Sequence, residues 1–162
     1  MQQARLFVAN AAGIGVVAFV HAAFTWPARA TVSLFAGGAL IAFVAEIAVI
    51  ELGWLEHHVD PQIRGVPVYV LLSWTGTVYV AFRLALLATD GPSAVVLAAL
   101  LATAADVSSD HRGVELGLWT YTDDVPGPRF RAVPWWNYAG WVVVSSVTAA
   151  VALPYLCVDG LY

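Results

Sequence analysis

The stretch from Thr31 to Leu52 reads TVSLFAGGALIAFVAEIAVIEL and carries only two charged side chains, both glutamates. A helix of about 20 mostly apolar residues is long enough to cross the hydrocarbon core of a bilayer. A small soluble domain leaves much of its surface in water and has no interior large enough to hide several such helices. This stretch therefore predicts a membrane-spanning helix that carries Glu46 inside the bilayer.

Similar apolar segments lie on both sides of this stretch. Of the 162 residues, 60% are hydrophobic and 11% are charged, and the mean hydropathy is +0.78. Soluble proteins carry about 25% charged residues. We predict a single transmembrane domain over residues 1–162, an all-α polytopic helical bundle of about five spans. The predicted spans cover about residues 6–24, 31–52, 66–88, 92–109 and 135–158.

The charge pattern indicates how the chain lies in the membrane. The net charge is −4 and all seven basic residues are arginine, which argues against a nucleic-acid partner. Most of these arginines lie on the side that holds the N-terminus and both long loops, residues 53–65 and 110–134. The positive-inside rule predicts that these loops are cytoplasmic. We expect a multi-pass protein of the cell membrane surrounded by lipids, and we leave open whether it forms a homo-oligomer.

The sequence contains an internal repeat. The string R-x-V-P occurs at residues 64–67 and 131–134, and each copy is followed by a tryptophan seven residues after its proline. Upstream, Glu46 and Asp110 each stand five residues before a Glu-Leu-Gly string. The two copies are 64 residues apart before the loop and 67 after it. This pattern predicts a parallel helix–loop–helix repeat, in which Glu46 and Asp110 face one shared cavity.

A cluster of acids is the feature most indicative of chemistry. Asp106 and Asp110 are spaced i, i+4, which places both carboxyl groups on one helix face. Because both long loops share a side, Glu46 can approach this pair. Ionised carboxylates are costly inside hydrocarbon, so we expect the cluster to retain at least one proton and to be able to act as a general acid. Pairing of these acids with Arg112 or Arg131, only to fix helix packing, is the alternative interpretation.

Three histidines offer a further alternative. His57, His58 and His111 lie near the same acids, and imidazole together with carboxylate suits iron or zinc. Their spacing matches no recognised metal motif, and His57 with His58 is also interpretable as a pair in interfacial water. The single cysteine excludes an internal disulfide and any cysteine-based metal cluster. No glycine-rich nucleotide motif is present, and we predict no cofactor.

Several of these strings resemble those of a known family. They are D-x-x-x-D at residues 106–110, G-L-W-T-Y at 117–121, V-P-x-x-N-Y-x-G-W at 133–141 and D-P-x-x-R-G-V-P at 60–67. The sequence is similar to the carotenoid biosynthesis membrane protein family, and to the carotenoid hydratases within it. The resemblance covers roughly residues 40–145.

The resemblance implies a hydro-lyase that adds water to a terminal isoprenoid double bond of an acyclic carotenoid. Such a reaction needs an acid that protonates carbon, aromatic faces that stabilise a carbocation, and a placed water molecule. It needs no cofactor, and its substrate is a lipophilic carotenoid or isoprenoid. The expected catalytic residues are Asp106, Asp110 and Glu46. The expected substrate-binding residues are Asn137, Trp119, Tyr121, Trp141 and Trp74.

Two other functions fit the same sequence. A non-catalytic membrane protein that binds carotenoid or lipid would carry its pigment chemically unchanged. A metal-dependent membrane enzyme would use His57, His58 and His111 as ligands.

Overall fold

The computed structural model describes residues 1–157 of the chain. Each of its five long helices is long and apolar enough to cross a membrane, which confirms the predicted all-α bundle of five spans. The chain is therefore a multi-pass membrane protein. The helices are α1 Gln2–Thr25, α2 Ala28–Glu51, α3 Val68–Ala88, α4 Gly91–Glu115 and α5 Trp135–Cys157.

Helix α4 continues beyond the predicted end of its span near Ser109 and reaches Glu115. Its last turns carry polar residues, and these are the reason that the hydropathy signal ended early. Asp110, His111 and Gly113 are nevertheless buried, because they face the protein interior rather than lipid. The extension keeps the whole acid cluster on one continuous helix.

The two halves of the predicted repeat share one architecture. In each half a helix is followed by a short strand, a two-stranded hairpin and a second helix. The central strands, β1 Leu55–His57 and β4 Trp119–Tyr121, pair antiparallel with Glu56 opposite Thr120. The hairpins are β2 Gln62–Ile63 with β3 Val66–Pro67, and β5 Arg129–Phe130 with β6 Val133–Pro134. Glu56 and Thr120 are equivalent positions of the repeat, so the two copies are related by a two-fold axis that passes through the β1–β4 pair.

The same backbone turn ends α2 and α4. Gly53 and Gly117 have φ of 71° and 67°, a left-handed conformation that glycine adopts without steric cost. Their N–H groups donate to the carbonyl oxygens of Ile50 and Val114 over 2.9 and 3.0 Å, as in a Schellman-type helix end. These equivalent turns direct both chains into the central strand pair.

The two halves also meet at a pair of tryptophans. Trp74 on α3 and Trp141 on α5 occupy equivalent positions in the repeat. Their rings are stacked with centroids 3.5 Å apart and planes inclined by 8°. The pair marks the two-fold axis inside the bundle, just as β1 and β4 mark it in the loops.

Both long connections, residues 52–67 and 116–134, lie at one end of the bundle, where α1 also begins. The short turns at residues 26–27 and 89–90 lie at the opposite end. The assignment of the loop end to the cytoplasm stays a prediction based on the arginines.

Helix α1 lies outside the repeat and packs closely against α3. A Cβ atom on Gly15 would lie 2.2 Å from the carbonyl oxygen of Leu72, and one on Gly76 would lie 2.6 Å from the Cα of Gly15. Small residues allow helices in membranes to approach this closely. The crossing holds the first half of α1 beside the acid cluster.

Substitution of Gly15 by alanine is expected to destabilise the protein. The added methyl group meets backbone atoms that cannot rotate away, so the helices must separate at a cost of about 1–3 kcal/mol. The measurement is the thermal stability of the detergent-solubilised protein. Gly13→Ala is the matched control, because a Cβ there has no atom within 4 Å. Equal stability of the two variants would show that the crossing is not close.

Candidate active site

A cavity of about 390 Å³ lies between the helices near the loop end. Glu46, Asp106 and Asp110 all line it, which confirms that the acids of the two repeat halves face one space. The five aromatic and polar residues predicted to bind substrate line it as well: Trp74, Trp119, Tyr121, Asn137 and Trp141. The structure thus brings all eight predicted site residues together, while their chemical roles stay predictions.

Asp106 lies deepest in the acid cluster. It is 6% exposed, and its Oδ2 accepts a hydrogen bond of 3.0 Å from the amide nitrogen of Asn137. Asn137 reaches this position because α5 begins at Trp135, directly after the Val133–Pro134 strand. The proline has no N–H to lose at a helix start, so the string V-P-x-x-N places the amide on the first turn.

Asp110 lies one turn closer to the loops. It is 7% exposed, and its Oδ2 accepts a hydrogen bond of 2.9 Å from the Tyr121 hydroxyl. Burial raises the pKa of Tyr121 well above its ordinary value, and the nearby Asp110 carboxylate raises it further. The phenol therefore stays protonated and acts as a donor that orients this carboxyl group.

Glu46 has a partner that was not expected from the sequence. Its Oε2 lies 3.0 Å from His57 Nε2, and the two side chains are only 12% and 4% exposed. The interpretation of His57 as a residue in interfacial water is therefore wrong. Strand β1 turns its side chain back over the end of α2, where it closes the cavity.

The repeat relates two of the three acids and their partners. Glu46 with His57 corresponds to Asp110 with Tyr121, since each acid precedes its strand partner by eleven residues. The third acid has no counterpart. The positions equivalent to Asp106 and Asn137 are the apolar residues Ala42 and Val70, both buried. One half of the repeat therefore supplies two acids to the cavity and the other half supplies one.

The arginines considered as partners of these acids lie elsewhere. Arg131 is 2.8 Å from His111 Nε2, and Arg112 is exposed. The alternative in which Arg112 or Arg131 pairs with Glu46 or Asp106 is therefore wrong. Neutral donors and one imidazole contact the acids instead, so within residues 1–157 no arginine compensates any of the three.

The histidines do not assemble the donor set of a metal site. His57 contacts Glu46, His58 contacts the Thr120 hydroxyl at 2.8 Å, and His111 contacts Arg131. Within residues 1–157, no three His, Cys, Asp or Glu side chains are grouped so that they could hold a metal ion. The geometry of this part of the chain gives the metal-dependent alternative no support.

The walls of the cavity are aromatic. Trp119 lies so close to α4 that a Cβ on Gly113 would be 1.9 Å from a carbon of its ring. Tyr69 also lines the cavity, and its buried hydroxyl has no hydrogen-bond partner within the described residues. Tyr69 could not be predicted from the sequence, because nothing in an apolar span distinguishes one tyrosine from its neighbours.

The arrangement combines buried acids, apolar aromatic walls and a polar rim. Ser108 and Ser109 line the same cavity from exposed positions on α4 and form its polar rim. The Asp106 and Asp110 carboxyl groups are both buried, one helical turn apart on α4. The fold and the cavity define a polytopic membrane protein with buried carboxyl groups between its helices.

Comparisons with known proteins agree with this class. Residues 11–158 match the carotenoid biosynthesis protein family, and the chain belongs to this family. A bisanhydrobacterioruberin hydratase of Haloarcula japonica is 33% identical over 120 residues. The alignment covers 67% of this chain and 40% of that protein, so the chain spans less than half the length of this relative. No solved structure matches the chain.

Proposed function

We propose that this protein is a membrane hydratase that adds water to a terminal isoprenoid double bond of an acyclic carotenoid. The observation that carries the proposal is the pair Asp106 and Asp110, buried one helical turn apart in a cavity with aromatic walls. Membership of the carotenoid biosynthesis protein family and the similarity to a hydratase support it.

The first step is the transfer of a proton to carbon. Asp106 lies further from the loops than Asp110, and in this proposal it holds the proton that the pair shares. It protonates the less substituted carbon of the double bond, and the electron pair of that bond forms the new C–H bond. Asn137 holds the Asp106 carboxyl in place throughout, because its amide donates to one oxygen and leaves the other free.

The product of this step is a tertiary carbocation. Asp110 is ionised in this state and stabilises the cation electrostatically, which is effective because its carboxylate is buried beside the reacting end. The faces of Trp74, Trp141 and Trp119 add attraction to the positive charge. The Tyr121 hydroxyl keeps the Asp110 carboxylate oriented toward the cation.

The second step is capture of the cation by water. The unpaired Tyr69 hydroxyl and the Glu46–His57 pair lie on the same cavity and are suited to hold that water. Oxygen bonds to carbon first, and the protonated alcohol that forms then releases one proton to Glu46. This proton returns to Asp106 before the next turnover, so the net reaction is the addition of one water and no other reactant is consumed.

The test uses the purified protein in detergent with an acyclic carotenoid that has isopropylidene ends. We expect a product whose mass is greater by one water for each end converted, and a polyene absorption spectrum that is unchanged. Recovery of the carotenoid bound to the protein but unchanged would contradict the proposal. That result would identify a non-catalytic carotenoid-binding protein instead.

A further inference from the structure

A second cavity of about 700 Å³ runs along the lipid-facing side of the bundle, between α1 and α3. Gly13 and Val17 on α1 and Val80 on α3 form its middle part. Asn10 and Ile14 line both this groove and the acid cavity, so the two spaces adjoin. The groove is not needed by any step described above.

We infer that this groove binds the polyene chain of the substrate while the reacting end lies among the acids. The inference rests on the proposed function and adds to it the path of the substrate across the membrane. It also assigns a binding site to α1, the helix that lies outside the repeat.

The shape and the walls of the groove fit a long apolar molecule. From Asn10 to His21 the groove follows α1 for about 16 Å at the usual helical rise of 1.5 Å per residue. Val17 and Val80 are exposed on its walls, so the groove opens to the lipid phase. An elongated, lipid-soluble molecule can therefore enter sideways from the bilayer, with its end directed to the acid cavity.

The far end of the groove is polar. His21 Nδ1 lies 2.6 Å from the Tyr79 hydroxyl, and both side chains line the groove together with Arg83. These residues lie near the end of α1, at the face of the bundle opposite the long loops. A polyene that extends from the acids along α1 would thus approach the other membrane surface, where polar groups can contact the remainder of the molecule.

Gly13 provides the test, because a Cβ there would meet no atom within 4 Å. Gly13→Leu adds to the groove a side chain whose Cβ meets no packed atom, and Gly13→Ala adds that single carbon alone. Ala23→Leu is the matched control, since Ala23 is exposed on the same helix and lies outside both cavities. Two substrates are compared, a full-length acyclic carotenoid and a short acyclic terpenoid with the same isopropylidene end.

We expect Gly13→Leu to raise the KM for the carotenoid by about tenfold or more, equivalent to about 1.4 kcal/mol of binding. The KM for the short terpenoid should stay unchanged, and Ala23→Leu should behave as wild type with both. The visible absorption of carotenoid retained by the purified protein gives a second readout that does not depend on turnover, and it should fall in Gly13→Leu.

A Gly13→Leu variant with wild-type KM and wild-type retention of carotenoid would overturn the inference and leave the proposed function intact. The groove would then hold only membrane lipid. Equal loss of activity toward both substrates would also overturn it, because the effect would not depend on the polyene. Wild-type protein that converts neither compound would instead overturn the proposed function, and this inference with it.

Discussion

Asp106→Asn is expected to reduce carotenoid hydration by about 10³-fold or more, since a positioned general acid contributes about 10²–10⁴-fold. The variant removes the proton donor and leaves the cavity otherwise intact. The asparagine side chain has nearly the same shape, and its carbonyl oxygen can still accept the hydrogen bond from Asn137. Because the loss concerns chemistry rather than binding, kcat should fall while KM changes little.

The control for this variant is the same chemical change at an exposed site. Asp123 lies in the loop before β5, its side chain is 97% exposed, and it is absent from the cavity. Asp123→Asn should retain wild-type activity. Elution from a sizing column and thermal stability in detergent show whether each variant folds. Folded Asp106→Asn with activity within about threefold of wild type would contradict its role as the acid.

Asp110→Asn is expected to cost about 10²–10³-fold in kcat, which is typical for the loss of one charge or donor that stabilises a transition state. The neutral amide still accepts the hydrogen bond from Tyr121, so the change removes the negative charge and little else. The measurement is kcat for an acyclic carotenoid, compared with that of the wild-type protein.

The repeat supplies a matched variant for this experiment. Glu46→Gln makes the same change at the equivalent position of the other half, where the partner is His57. We expect it to cost about tenfold or less, because the cation is already captured when Glu46 accepts the proton, and that transfer does not limit the rate. A loss at Glu46 equal to or greater than the loss at Asp110 would contradict the assignment of roles.

The repeat could be predicted from the sequence because its signals are short and local. The string R-x-V-P sets a turn and a helix start at the same offset in both halves, and the Glu-Leu-Gly strings set both helix ends. These signals also predicted that Glu46 and Asp110 would share a cavity, as the structure confirms. Local backbone chemistry therefore accounts for most of the loop end of the bundle.

The pairing of Glu46 with His57 could not be predicted from local sequence signals. His57 corresponds by offset to Tyr121, but histidine and tyrosine share no sequence signal that would relate them. The register of β1 against β4 places His57 over Glu46 in one half and Tyr121 over Asp110 in the other. This register is a long-range feature, and the sequence does not specify it residue by residue.

The position of α1 in the bundle could not be predicted from the sequence either. A helix that is apolar on all sides carries no periodic pattern to show which face meets protein and which meets lipid. The close approach of Gly15 and Gly76 and the hydrogen bond between His21 and Tyr79 show that α1 lies against α3, and this crossing shapes the groove beside it. For the same reason neither the groove nor Tyr69 was predicted.

The asymmetry of the cavity is central to the proposed chemistry. A symmetric repeat would supply two equivalent acids, each held by a strand residue. The pair Asp106 and Asn137 replaces the apolar pair Ala42 and Val70 and thereby adds a proton donor on one side of the two-fold axis. The substrate end would then be protonated from one side and meet water held by Tyr69 and Glu46.

The most direct test of this account is an isotope measurement on the wild-type reaction. The protein is incubated with an acyclic carotenoid in deuterium oxide whose oxygen is heavy oxygen-18, under ordinary air. We expect one deuterium on the carbon next to each new hydroxyl group, and an oxygen-18 atom in that hydroxyl. A product hydroxyl with its oxygen from air, or one with no deuterium on the neighbouring carbon, would contradict acid-catalysed hydration.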